Sequence, residues 1–188
     1  MSVLSVALLR YNVNMEKKGT DIRSFMTAAL PVVLFDFIVC GFVGWAYETI
    51  LTSVVFGRFV ERGVLPIPLL PIYGLFALIL PFVFKKENNP FNIIAVGAIG
   101  ATLFELIGAY VTEFLFHERL WTYADWKWNF FDGRISVFSS LIFGVLCVLF
   151  VKGIHPLSLF LAGKYKRAFP VAIFVLSAAL VIACFVIK

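Results

Sequence analysis

The chain has 188 residues, of which 62% are hydrophobic and only 14% are charged. Soluble domains are about half apolar and about one quarter charged. A soluble domain of this length could not bury so much apolar surface, so the composition excludes a soluble fold. The formal charge of +5 is then a sign of membrane orientation and anionic-lipid contact, and no nucleic-acid partner is expected.

Five long apolar stretches predict an all-α, polytopic transmembrane helix bundle. They cover approximately residues 30–56, 69–84, 91–116, 135–151 and 169–187. Their continuity favours helices over the alternating strands of an outer-membrane barrel. Residues 1–29 are expected to form an N-terminal interfacial or cytoplasmic segment, and residues 30–188 a single membrane-embedded domain.

The second stretch is short and rich in proline. Pro71 and Pro81 lie within it, and Pro66 and Pro68 precede it. Proline removes a backbone donor and disfavours regular helix, and non-helical backbone at membrane depth needs protein or water to satisfy it. Residues 66–74 are therefore expected to be either a broken or re-entrant start of the second span or an ordinary interfacial loop.

The basic residues predict the orientation. With five spans, ten Lys and Arg residues fall on the N-terminal side and six on the other. The positive-inside rule then places the N-terminus in the cytoplasm, with the protein in the cell membrane. The stretch "PLSLFLAGKYKR" is expected to lie along the interface as an amphipathic segment and not to form a sixth span.

Acidic residues within the predicted spans indicate a candidate site, because such residues usually face the bundle interior and have partners. On the third span, small and acidic residues repeat at i, i+4: Gly97, Ala101, Glu105, Ala109 and Glu113. Small residues let another helix approach closely. The first span has a similar stripe around Gly44 and Glu48, so we expect the two stripes to pack together and to bring Glu48 near Glu105.

The connector "HERLWTYADWKWNFFDGR" between the third and fourth spans contains three of the four tryptophans. Trp and Tyr favour the headgroup level, so an aromatic interfacial belt is one interpretation. The other is a lid over the polar residues, since the connector joins the helix ends that carry Glu113 and Arg134.

Several motifs occur in a fixed order: "GFVGWAYE", "RFVERGVLPIPLLPIYG", a glutamate on the third span, "LWTYADWKWNFFDGRI" and "SSLIFG". Over about residues 40–145 the chain resembles the bacterial family of putative ABC-transporter type IV proteins, also called putative ABC transporter permeases. The resemblance implies a role for the shared residues Gly44, Trp45, Tyr47, Glu48, Arg62, Gly63, Pro68, Pro71, Ile72, Tyr73, Gly74, Glu105, Trp121, Tyr123, Asn129, Gly133, Ile135 and Gly144. The chain departs from the family pattern at Glu61, Ile67, Thr122, Ala124 and Phe143.

The candidate ligand-binding or proton-handling residues are Trp45, Tyr47, Glu48, Arg62, Tyr73, Glu105, Glu113, Trp121, Tyr123, Asn129 and Arg134. Structural hydrogen bonding is the alternative for Glu48 and Glu105, and simple interfacial charge for Arg62 and Glu113. Asp36 is expected to snorkel or to be capped. No catalytic residue is assigned, and the spacing of Cys and His predicts neither a metal nor another cofactor.

The chain lacks the G-x-x-x-x-G-K-[ST] motif, so an ATPase would have to be another polypeptide. We predict a transport-related membrane protein with a carboxylate-lined pocket in one half of the bilayer. The alternatives are an intramembrane enzyme using carboxylate acid–base chemistry on a lipid or lipid-linked group, and a structural or accessory subunit. Expected partners are lipids, a small solute, and either a separate ATPase subunit or further copies of the chain.

Overall fold

The computed structural model describes residues 25–187, and the predicted N-terminal segment therefore lies mostly outside the described residues. By length and composition, four described helices could cross a membrane: Met26–Phe56, Pro90–Phe116, Val137–Lys164 and Ala168–Val186. The long apolar helices predicted from the sequence are thus present.

Helix α1, Leu30–Phe56, has the bounds predicted for the first span. It follows a π-helical segment, Phe25–Ala29. Pro31 is the second residue of α1 and lies just after this π-helical segment. The helix ends at Gly57, whose φ of 63° lies in the left-handed region and whose N–H bonds to the Val54 carbonyl.

The predicted second span is shorter than expected and is divided in two. Residues 57–70 contain no helix. Helix α2, Pro71–Ala77, and helix α3, Leu80–Val83, form one short apolar element, Pro71–Val83. This element is not among the four long helices, so the count of five spans stays a prediction, as does a re-entrant path for residues 66–70.

Helix α4, Pro90–Phe116, agrees with the third predicted span, and Asn89 caps it by accepting a hydrogen bond from the Phe91 N–H at 3.0 Å. The connector that follows contains two short antiparallel strands, β1 at Asn129–Phe130 and β2 at Ile135–Ser136. This hairpin is a small departure from the predicted all-α class.

The fourth helix is longer than the sequence predicted. Helix α5, Val137–Leu149, passes through a π-helical segment, Phe150–Ile154, into helix α6, His155–Lys164. The helix continues past residue 151, where the fourth span was predicted to end, and it includes Pro156 directly after the π-helical segment. Helix α7, Ala168–Val186, agrees with the last predicted span.

The chain divides into two compact units, unit 1 with residues up to Leu78 and from Lys152, and unit 2 with Ile79–Val151. In unit 1, α1 packs on α7 around Val32, Phe169 and Ile173. In unit 2, α4 packs on α5, where a Cβ on Gly97 would lie 2.8 Å from the Cys147 sulfur. The single membrane-embedded domain stays a prediction.

Candidate functional site

In unit 1 the carboxylate of Glu48 is held by two donors. The Tyr73 hydroxyl donates to Glu48 Oε1 at 2.8 Å, and Arg62 Nε donates to Oε2 at 3.3 Å. The side chains of Arg62 and Glu48 remain 28% and 23% exposed. We call Glu48, Thr49, Arg62 and Tyr73 the Glu48 cluster, and its carboxylate is bonded without being enclosed.

The non-helical segment before α2 lies along α1 and is bonded to it at Gly41 and Thr49. The Arg62 backbone N–H donates to Thr49 Oγ1 at 3.3 Å, and the Leu70 N–H donates to the Gly41 carbonyl at 3.0 Å. Backbone N–H groups of a non-helical segment at membrane depth need hydrogen-bond acceptors from protein or water. Side chains and carbonyls of α1 therefore satisfy part of the irregular segment and fix Arg62 beside Glu48.

Gly44 makes room for the Tyr73 ring. A Cβ built on Gly44 would lie 2.2 Å from Tyr73 Cγ, far inside any allowed contact. The ring therefore lies directly against the backbone of α1, one turn before Glu48. The absence of a side chain at residue 44 is what lets the hydroxyl reach the carboxylate.

The other two candidates on α1 are Trp45 and Tyr47, both half-buried. The Trp45 ring stacks on Phe42 with centroids 5.9 Å apart. Its indole Nε1 is buried and has no hydrogen-bond partner among the described residues. Trp45 thus carries an unused donor near the Glu48 cluster.

In unit 2 the corresponding carboxylate is Glu105, on α4. It is 6% exposed, and its Oε1 accepts from the Tyr123 hydroxyl at 2.7 Å. The predicted stripe of small residues is buried as expected at Gly97, Ala101 and Ala109. Because Glu48 and Glu105 belong to different units, their predicted proximity stays a prediction.

Charged side chains at the end of α4 form a second group, which we call the hairpin ion network: Glu113, Arg119, Asp132 and Arg134. Glu113 Oε2 accepts from Arg134 Nη2 at 2.6 Å, and Oε1 accepts from Arg119 Nε at 3.3 Å. Arg119 also donates to a carboxylate oxygen of Asp132. Three of its members, Glu113, Arg119 and Arg134, line a recess together with Trp121.

Two loop members of the network shift each other's pKa. The hydrogen bond from the Arg119 guanidinium lowers the pKa of Asp132, and the same bond raises the pKa of Arg119. Neither Arg119 nor Asp132 was among the predicted site residues. The connector contains both acidic and basic residues, which could have indicated ion pairs there, but the sequence does not show which of these charges meet.

The remaining candidates hold the connector in shape. Trp121 Nε1 donates to the Arg134 carbonyl at 3.2 Å, and Asn129 Nδ2 donates to the Trp126 carbonyl at 2.7 Å. Trp128 has a φ of 58°, in the left-handed region, and its side chain is 73% exposed. Trp121 and Asn129 are therefore engaged with backbone carbonyls, while Trp128 points outward.

Within residues 25–187, no group of three or more His, Cys, Asp or Glu side chains could hold a metal ion. The chemistry on offer is that of carboxylates, guanidinium groups and tyrosine hydroxyls. Such groups can bind cations and hydroxyls, accept protons, or fix helices to one another.

A family model described as "Putative ABC-transporter type IV" matches residues 35–187, which is most of the chain. No curated protein and no solved structure matches it. The match extends well beyond the 40–145 region whose motifs carry the resemblance. It covers three of the four long helices completely and the first one from residue 35 onward. The chain is therefore a multi-pass membrane protein that belongs to the putative ABC-transporter type IV family.

Proposed function

We propose that this protein is a permease or solute-binding membrane subunit, and that the Glu48 cluster forms its pocket in one half of the bilayer. The observation that carries the proposal is the part-exposed carboxylate of Glu48, bonded to Arg62 and Tyr73 within a membrane helix. The solute would be a small cationic or hydroxylated molecule, or a proton.

The energetics of the site support a ligand-facing role. A charged side chain near the bilayer centre costs at least about 2.5–3.5 kcal/mol on insertion scales, so it is seldom retained without a partner or a task. Arg62 supplies the opposite charge, but a pair with more than a fifth of each side chain exposed is open to exchange. A solute ammonium could replace Arg62 as the partner of the carboxylate, and a solute hydroxyl could replace Tyr73.

The finer topology belongs to the same proposal. In it, Pro71–Val83 crosses or enters the membrane beside α1, giving five spans with a cytoplasmic N-terminus. Two hydrogen bonds to α1 support this placement of the short element. The Tyr73 hydroxyl donates to Glu48, and the Leu70 N–H donates to the Gly41 carbonyl. The family assignment and the missing nucleotide-binding motif support an ATPase on a separate subunit, with a homo-oligomer as the other assembly.

A thermal-shift screen of small cations, amines and polyols in detergent tests the pocket. We expect at least one compound to stabilise the wild-type protein, by about 2.7 kcal/mol at a concentration of 100 times its Kd. Glu48→Gln should remain folded and lose that stabilisation. Glu61→Gln is the matched control, because Glu61 is an exposed glutamate next to Arg62, and it should keep the full shift.

An accessory subunit is the competing function, and one observation favours it. Both oxygens of Glu48 are already bonded within the chain, so the cluster could serve only to fix the α2 region to α1. Unfolding of Glu48→Gln, together with no stabilising compound for the wild type, would support this role and overturn the pocket. For the intramembrane-enzyme alternative, the described residues offer no supporting contact beyond those of the Glu48 cluster.

A further inference from the structure

A pair of titratable side chains, Asp36 and His155, lies in unit 1 near the start of α1. His155 Nδ1 lies 2.6 Å from Asp36 Oδ2. The Asp36 side chain is only 4% exposed and that of His155 is 24% exposed. Asp36 was expected to snorkel or to be capped, but it is enclosed and paired with a residue far along the chain.

The helix that carries His155 is irregular at this point. His155 is the first residue of α6 and directly follows the π-helical segment Phe150–Ile154. π-Helical turns inside longer helices occur frequently at functional sites. The carbonyl of His155 accepts a hydrogen bond from Ser158 Oγ at 2.8 Å, and Ser158 is fully buried, so the turn is well fixed.

The second oxygen of Asp36 is the unusual feature. Oδ1 is buried and has no hydrogen-bond partner among residues 25–187. A buried carboxylate beside a neutral imidazole would also place a net charge of −1 in an apolar surrounding, where an isolated charge is strongly disfavoured. One added proton makes the pair neutral, either as imidazolium with carboxylate or as imidazole with carboxylic acid.

We propose that Asp36 and His155 form an intramembrane proton-binding site that holds one exchangeable proton. Binding adds the proton to the pair and release returns it to water, and no other reactant takes part. Two observations carry the proposal independently, namely the short contact between the two side chains and the unpartnered oxygen in a side chain that is almost wholly enclosed.

Other ionisable groups on the surrounding elements define the electrostatic environment. Cys40 follows Asp36 by one turn of α1, and Lys152 lies in the π-helical segment. Lys164, at the end of α6, lies over the rings of Phe160 and Tyr165. Helix α7 adds only Cys184 within its bounds. The described part of unit 1 thus brings no second carboxylate to this end of α1.

The site is distinct from the Glu48 cluster. Asp36 and Glu48 are separated by about 18 Å along α1, at about 1.5 Å per residue. One helix thus carries a paired carboxylate towards each of its ends, and the proton site does not depend on whether the Glu48 cluster binds a solute.

Nuclear magnetic resonance of the whole chain, with labelled histidine ring nitrogens and aspartate carboxyl carbons, tests the proposal directly. Because His117 is the only other histidine, His117→Asn leaves a single imidazole, and Asn suits the left-handed backbone at residue 117. In this parent variant at pH 7, we expect a proton on Asp36 or a doubly protonated His155. Raising the pH should then change both signals together in one step.

A neutral His155 beside an ionised Asp36 at pH 7 would overturn the proposal, as would signals that stay constant from pH 5 to pH 10. Asp36→Asn in the same background should displace the pH at which His155 changes, and an undisplaced step would also contradict the proposal. Should Asp36→Asn fail to fold, the pH series of the parent variant decides alone.

Discussion

Glu48 and Glu105 make the same bond in the two units and lie in different surroundings. Each carboxylate belongs to a long membrane helix and accepts from a tyrosine hydroxyl outside that helix, at 2.8 Å from Tyr73 and 2.7 Å from Tyr123. Glu48 keeps 23% of its side chain exposed, whereas Glu105 is 6% exposed as a residue. A hydrogen bond from a tyrosine therefore does not decide how exposed the carboxylate is.

The difference arises from the segments that deliver the tyrosines. Tyr73 arrives on a short helix after a proline-rich stretch, and Arg62 of that stretch adds a part-exposed ion pair. Tyr123 arrives on a connector that is folded tightly by its own bonds, including Tyr123 N–H to the Gly133 carbonyl at 2.7 Å. We infer that the first arrangement leaves the carboxylate open to exchange and the second encloses it.

The largest effect is expected from a substitution that displaces the Tyr73 ring from its position beside Glu48. In Gly44→Ala the new Cβ would lie 2.2 Å from the Tyr73 ring, so the ring and the start of α2 must move. Overpacking of this kind costs about 1–3 kcal/mol or more. We expect the largest loss of thermal stability for this variant, measured by unfolding in detergent.

Gly163→Ala is the matched control for that substitution. Gly163 lies in α6, and nothing lies within 4 Å of the point that a Cβ would occupy there, so alanine should be tolerated or slightly stabilising. Equal stability of the Gly44 and Gly163 variants would show that the Tyr73 ring does not depend on the space at Gly44.

Helix bounds in this chain could be predicted where apolar runs end in strong punctuation. Leu30–Phe56 stops at Gly57, and Pro90–Phe116 starts behind the Asn89 cap, and both match the sequence analysis closely. The long fourth helix could not be predicted, because a proline such as Pro156 usually ends a helix and nothing in the sequence marks the π-helical segment that precedes it.

The sequence allowed individual residues of the candidate site to be predicted, but not which of the polar side chains contact each other. Glu48, Arg62 and Tyr73 were selected from composition and motif, and the structure brings them together. The pair of Asp36 with His155 was missed, because residues so far apart in sequence meet only through the packing of α1 with α6. Hydropathy shows that a polar residue within a membrane span is energetically unfavourable, but it does not show which residue will pair with it.

A pair of hydroxyl deletions sharpens the comparison at intermediate magnitude. Tyr123→Phe removes a donor from the enclosed Glu105, and Tyr73→Phe removes one from the part-exposed Glu48. Loss of a hydrogen bond to a buried polar group costs about 1–3 kcal/mol, and an accessible carboxylate can recruit water instead. We therefore expect Tyr123→Phe to lower the midpoint of thermal unfolding more than Tyr73→Phe, and the reverse order would refute the distinction in burial.

The smallest effect is expected at the surface of unit 2, where the connector that encloses Glu105 is held by charge. The pKa of Asp132 is lowered below its ordinary value of 3.8 by the hydrogen bond from Arg119. A carboxyl with a depressed pKa in the folded state stabilises the protein above its unfolded pKa, and this contribution is lost as the pH falls through the folded pKa. Asp132 therefore stabilises the fold at neutral pH and stops doing so in the acid range below about pH 4.

Asp132→Asn should consequently narrow the gap between the thermal stabilities measured at pH 7 and pH 3, while Asp125→Asn should not. Asp125 is an exposed aspartate of the same connector, which makes it a control for the loss of charge alone. Equal changes in the two variants would mean that the Arg119 bond contributes nothing specific. The enclosure of Glu105 would then have to rest on the backbone bonds of the connector, so this weakest perturbation tells whether charge or backbone closes unit 2.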